Sequence, residues 1–170
     1  MRLNNRGEKM SAKWKPRGTW REKLEKQQEP RVVDTPPKMQ KRFGAGKMLI
    51  PTPALVDALM QKAPPGRLVT VEQIRQRLAQ DFKVDSTCPL TTGIFIRIAA
   101  EAAEEYRHMG RKNITPYWRV IKSDGSLNEK FPGGAEAQAR RLKKEGHAIE
   151  PGKGKKPPRV KDFEKSLVKL

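Results

Sequence analysis

The chain has 170 residues, 35% of them hydrophobic, and holds no apolar run of about 18 residues that would span a membrane. Its single cysteine, Cys88, excludes an internal disulfide, and its two histidines lack zinc-ligand spacing, so no metal and no cofactor is expected. The formal net charge of +18 points to a polyanionic partner, nucleic acid first and an acidic membrane surface second.

The charge is unevenly spread. Residues 1–47 carry 14 basic against 5 acidic side chains and 139–170 carry 11 against 4, while 48–138 hold 12 against 10. The expected organisation is therefore a nearly neutral core domain over 48–147, a basic N-terminal arm over 1–47 and a basic C-terminal tail over 148–170, the extensions partly disordered. The amino terminus has no apolar segment ahead of a cleavage site, so a cytoplasmic, nucleoid-associated location is the expectation.

In chain order, "WKPRGTWREKLEKQQEP" offers one short helix around 20–28, and Trp14 and Trp20 either stack on bases or anchor the arm to the core. "GAGK" at 44–47 lacks phosphate-loop spacing. "PALVDALMQKA" places Leu55, Val56, Leu59 and Met60 on one helical face, ended by "PPG". Thr70 followed by Gln73 is a capping-box pattern that opens a second helix with Val71, Ile74, Leu78 and Phe82 as its buried stripe. A long helix follows across "LTTGIFIRIAAEAAEEYRHMG", with Leu90, Ile94, Phe95 and Ile98 expected inward and Gly110 as its end. Two helices joined by a polar link form a helix-turn-helix pattern. "YWRVIK" reads as a short strand or loop and "SDG" as a turn. "GGAEAQARRLKKEGH" reads as a helix with a thin apolar side of Ala135, Ala139 and Leu142, stopped by Gly146, and the tail reads as short strands or coil closing on a helical turn or two.

Over 55–147 the chain resembles the DNA-binding domain of the alkylguanine-DNA alkyltransferase family and its alkyltransferase-like relatives. Four segments carry the resemblance in the family's order: "PPGRLVTVEQI" is similar to P-x-G-x-V-x-T-Y-G-x-I, and "TTG" ahead of an apolar helix is similar to R-A-V-G. "PYWRV" is similar to P-C-H-R-V, and "SDGSLNEKFPGGAEAQARRLKKEGH" to the D-G-x-L…S-G-G…E-G-H ending. The implied fold is mainly α, a winged-helix-like helix-turn-helix. The implied activity is to grip DNA, extrude a base and hold it in a pocket.

The departures define the expected function. The cysteine position holds Tyr117 and the histidine position Trp118, so the thiolate nucleophile and its base are missing and a non-enzymatic protein is expected. The tyrosine beside the extruded base's phosphate corresponds to Val71, and the arginine finger to Leu90. Thr91 and Thr92 follow on the same helix as phosphate-meeting positions beside the motif glycine Gly93, and Arg97 reaches out one turn later. Arg119 matches the motif's arginine and is read as a loop-fixing donor to backbone carbonyls. Phe131, Gly133 and Gly134 fall on the S-G-G loop, and Glu145 on the relay glutamate, left vestigial near a helix end. The segment between Gly93 and Pro116 is longer than the family's by about ten residues, which lengthens the recognition helix or its loop. Cys88, on the linker before that helix, is read as an inert buried thiol.

Two readings of the aromatic pair stand. The rings fill the pocket, or they line an open one in which base stacking of about 1–3 kcal/mol offsets unstacking. Duplex DNA is the expected partner over RNA, with no membrane, bound by a monomer that the resemblance links to a repair-protein partner and to sensing of alkylated bases. The alternative is an RNA or ribonucleoprotein module that uses the fold as a scaffold.

Overall fold

A computed structural model describes residues 18–170. Trp14 lies outside the described residues. Six helices and three small sheets give these residues a mixed α/β architecture, and none of the helices is long and apolar enough to cross a membrane.

The first helix, α1 (Trp20–Glu25), opens on a capping box in which Thr19 and Glu22 each satisfy the other's amide. A helix this short does not persist alone. It is held against α5 (Pro89–His108), where Glu105 accepts from the Trp20 amide at 2.8 Å and from Arg21 Nε at 3.0 Å, while Leu24 is buried. Strands β1 (Arg31–Asp34) and β2 (Lys47–Ile50) pair antiparallel with Val32 opposite Leu49, and β2 runs parallel to β4 (Ser86–Thr87). The short helix α2 (Pro37–Phe43) connects β1 to β2. Residues 18–47 of the expected basic arm are thus packed structure, and the short helix read near 20–28 is present as α1. Leu24 and the sheet partners Met48 and Leu49 supply the apolar contact, and a few such residues suffice because α5 presents a ready surface.

Helix α3 (Pro53–Met60) is capped by Thr52, whose Oγ1 accepts the Leu55 amide at 3.3 Å, and it buries Val56, Leu59 and Met60. In α4 (Val71–Asp81) the expected capping box is present: the Gln73 amide donates to Thr70 Oγ1 at 3.1 Å and the Thr70 amide to Gln73 Oε1 at 2.9 Å. Ile74 and Leu78 are buried, with Val71 and Phe82 packed at the edge of the same core.

Of the four α5 residues expected inward, Ile98 is buried and Phe95 packs against the core, while Leu90 and Ile94 are not inward. Thr92, Ile96, Ala99, Ala100 and Ala103 face the core, and Leu90 and Ile94 face outward at 66% and 49% exposure. Leu, Ile and Phe recur often enough in this helix to fit two helical faces. The alanines decide between them, because only small side chains let α1 and α3 approach the α5 backbone closely. Gly110, with φ 93°, follows the helix as expected.

A 3-10 turn at Tyr117–Arg119 leads into β5 (Val120–Ile121), which pairs parallel with β3 (Val69–Thr70). Helix α6 (Gly134–Lys144) then buries Leu142 and Ala139 in a second core with Leu68, Ile121 and Leu127. The last 23 residues complete that core as the short strands and closing helical turn expected of them. Strands β6 (Ile149–Glu150) and β7 (Arg159–Val160) pair antiparallel, Val160 and Phe163 are buried, and Leu167 bridges Leu68.

Candidate nucleic-acid interface

The motif segment 116–121 is fixed from three directions. The Tyr117 ring is 3% exposed and meets Trp118 and Phe131 edge-on, with centroids 5.5 and 5.3 Å apart. Its hydroxyl donates to Glu104 Oε1 on α5 at 2.7 Å, and the same oxygen accepts from Arg141 Nη2 on α6 at 2.9 Å. The Arg141 guanidinium lies 4.2 Å from the Trp118 ring centroid, a cation–π contact that closes the cluster. The ring is therefore packed on its edges and tied at its hydroxyl, and it does not border the neighbouring cleft. Trp118 has a second aspect: it borders a cleft of about 910 Å³ together with Pro64, Tyr106, Arg111 and Arg119.

Glu145, at the end of α6 as expected, has structural partners. It accepts from Arg119 Nη2 at 2.6 Å, from Arg119 Nε at 3.0 Å and from Trp118 Nε1 at 3.1 Å, while Arg119 Nη1 donates to the Ala63 carbonyl at 2.7 Å. The loop-fixing role expected of Arg119 thus includes a half-dry ion pair between α6's end and the motif turn. Gln138 adds a second lock, its Nε2 donating to the Trp118 and Val120 carbonyls at 3.1 and 2.9 Å and its Oε1 accepting the Asn128 amide at 2.8 Å. Gly133 and Gly134 carry φ of 76° and 73° at the start of α6, a left-handed entry that side chains disfavour.

The remaining expected residues sit elsewhere. Val71 is part of the main core. Thr92 is fully buried with its hydroxyl on the Cys88 carbonyl at 2.7 Å, so it cannot meet a phosphate, and Thr91 is partly buried with the same acceptor at 3.4 Å. Leu90, Gly93, Ile94 and Arg97 form the exposed strip of α5. Arg97 lies 5.7 Å from the Trp20 ring centroid and Lys23 4.4 Å from it, so Trp20 anchors its helix beneath two cations. Cys88 is buried at the α5 N-terminus. Sequence reasoning missed Glu104, Arg141 and Gln138. The one available signal was charge on otherwise small-residue helix faces.

Protonation follows from this geometry. Burial first, then the hydrogen bond to Glu104, pushes the Tyr117 phenol well above its usual range. It stays a neutral donor and offers no anionic substitute for a thiolate. Burial raises Glu104 and Glu145, but the hydrogen bonds they accept outweigh it, and both carboxyls end below their ordinary range. Burial holds His147 below its ordinary value.

Two acid windows are therefore expected. His147 binds its proton more weakly when folded, so stability is full above its unfolded value of about 6.5 and declines as pH falls from there to the folded value. The carboxylates contribute above their unfolded value of about 4.3, and that contribution is lost as pH falls through their lowered folded values. Thermal midpoints measured across pH should show both steps. His147→Gln should remove only the upper one, and a single monotonic step that this variant leaves unchanged contradicts the assignment.

No protein-family model matches the chain, and no curated protein matches it. Among solved structures the chain is similar to the crystal structure of S. pombe Atl1 in complex with damaged DNA containing O6-carboxymethylguanine. The TM-score is 0.47 and the identity 18%, over 69% of this chain and 94% of that one.

Proposed function

We propose that this chain is a non-enzymatic DNA-binding protein of the alkyltransferase-like type, with α4 and α5 as its helix-turn-helix and recognition of alkylated DNA as its role. The observation that carries the reading is the motif position itself: Tyr117 stands in the cysteine's place as a buried, hydrogen-bonded, neutral phenol. Covalent transfer has no nucleophile there, and binding is what the fold retains.

The exposed strip of α5 supports a docking face. Leu90 and Ile94 lie one helical turn apart in water with Arg97 following. Apolar wedges flanked by cations are a device of proteins that pry at base steps from the minor groove. The 37 basic residues supply the sequence-independent attraction to phosphates.

The test is competition between a plain duplex, a duplex carrying an O6-alkylguanine and a structured RNA at matched salt. The alkylated duplex should bind tightest and the RNA weakest, with a log–log salt slope of about −0.9 per neutralised phosphate. Tighter binding to RNA would favour the ribonucleoprotein reading instead, and a covalent alkyl adduct on the protein would overturn the non-enzymatic one. Leu90→Asp with Ile94→Asp should weaken duplex binding on the order of tenfold, about 1.4 kcal/mol, at unchanged thermal midpoint because both side chains are exposed. Unchanged affinity would remove α5 from the interface.

A further inference from the structure

A second site lies away from the aromatic cluster, between α2, α4 and β4. The Phe43 ring at the end of α2 sits beside two guanidinium groups, Arg42 with its carbon 5.0 Å from the centroid and Arg75 at 5.9 Å. None of the ion pairs among the described residues involves either arginine. Burial, and then the nearby charge of Arg42, holds the Arg75 guanidinium below its ordinary value, so the two cations oppose each other in a partly dry setting.

Two buried polar atoms in this region have no partner: Arg75 Nε and Ser86 Oγ. Ser86 is 9% exposed, and both residues line the same pocket of about 440 Å³ with Phe43 and Thr87. Buried donors are normally satisfied, and where they are not, an absent ligand is one physical cause. The rim also holds Glu72 and Asp85. Asp85 is engaged by the Lys47 amide at 2.8 Å and Glu72 accepts from Gln76 at 3.5 Å; neither forms an ion pair with the arginines, although the Glu72 charge partly offsets that of Arg42 at Arg75.

We propose that this pocket binds a phosphoryl group, with Arg75 and Lys83 as the cations of its lining, Arg42 as a nearby cation outside the lining that shares the Phe43 ring, and Ser86 as a hydroxyl donor. An anion in the pocket offsets the repulsion Arg75 feels from Arg42, and guanidinium geometry matches phosphate oxygens two at a time. The volume falls in the range of about 300–1,000 Å³ typical of small-ligand sites. The group comes either from a free nucleotide or from a nucleic-acid backbone. The site does not depend on the α5 docking face.

The test follows the Arg75 Nε–H resonance in the full-length protein during titration with inorganic phosphate, a nucleoside 5′-monophosphate and a short DNA duplex, with chloride at matched ionic strength as control. The resonance should shift saturably with phosphate and not with chloride, and Arg42→Gln, an exposed position that folding does not need, should raise the half-saturating concentration at least about tenfold, 1.4 kcal/mol. Tighter saturation by the mononucleotide than by phosphate assigns the site to a free nucleotide, and saturation by the duplex without that gain assigns it to a backbone. Arg75→Gln should abolish the phosphate-dependent rise in thermal midpoint without lowering the midpoint of the unliganded protein. A shift that grows linearly, or one that Arg42→Gln leaves unchanged, overturns the proposal.

Discussion

Glu145→Ala should lower the unfolding free energy by about 3–5 kcal/mol, the range for removing one partner of a buried ion pair. The Arg119 and Glu145 side chains are 11% and 15% exposed, so water only partly replaces the lost carboxylate. Three donors lose their acceptor at once: Arg119 Nε, Arg119 Nη2 and Trp118 Nε1. For a domain of this size the expected fall in thermal midpoint is on the order of 10 °C. Arg119→Lys should also destabilise, since an ammonium cannot serve Glu145 and the Ala63 carbonyl with the same planar fork. The double variant Arg119→Met with Glu145→Leu should lose less than the sum of the single truncations, because no unpaired charge remains. Urea denaturation of the set decides it. A Glu145→Ala loss under about 1 kcal/mol would mean the pair is solvated, in the class of surface salt bridges.

What the sequence made legible follows from which forces are local. The Thr70–Gln73 box, the Pro and Gly stops and the α6 segment rest on contacts within one turn of chain, so spacing alone exposes them. The α5 register rests on what packs against it. The same apolar residues allow two faces, and the alanines chosen by α1 and α3 cannot be weighed until those helices are placed. The staple of Trp20 and Arg21 to Glu105 joins positions 85 and 84 apart, and a basic composition conceals it. The motif residues Tyr117 to Arg119 were readable because the resemblance fixes their order. Their partners Glu104 and Arg141 were not, since each lies on a different helix and looks like an ordinary charge on a solvated face.

The same cluster yields the second large effect. Tyr117→Ala is expected to cost about 3–5 kcal/mol, the range for deleting a large buried aromatic ring, because Phe131 and Trp118 each lose an edge contact and a cavity remains. Tyr117→Phe keeps the ring and removes only the hydroxyl, so its expected cost is about 1–3 kcal/mol for one hydrogen bond to a charged acceptor. Glu104 keeps Arg141 and Arg107 as partners in that variant, which holds the figure toward the lower end. The two variants separate a plug from a pocket wall. A plug gives a large gap between Ala and Phe and leaves plain-duplex affinity unchanged in the folded Ala variant. A wall that stacks an extruded base gives a small stability gap and a loss of affinity for alkylated duplex in the Ala variant. Tyr117→Cys, which restores the motif's sulfur, should remain inert toward a benzylated guanine. Burial keeps a thiol there protonated, and the neighbouring side chain, the Trp118 indole, cannot take its proton. Alkylation of that variant at a rate above free cysteine would overturn this expectation.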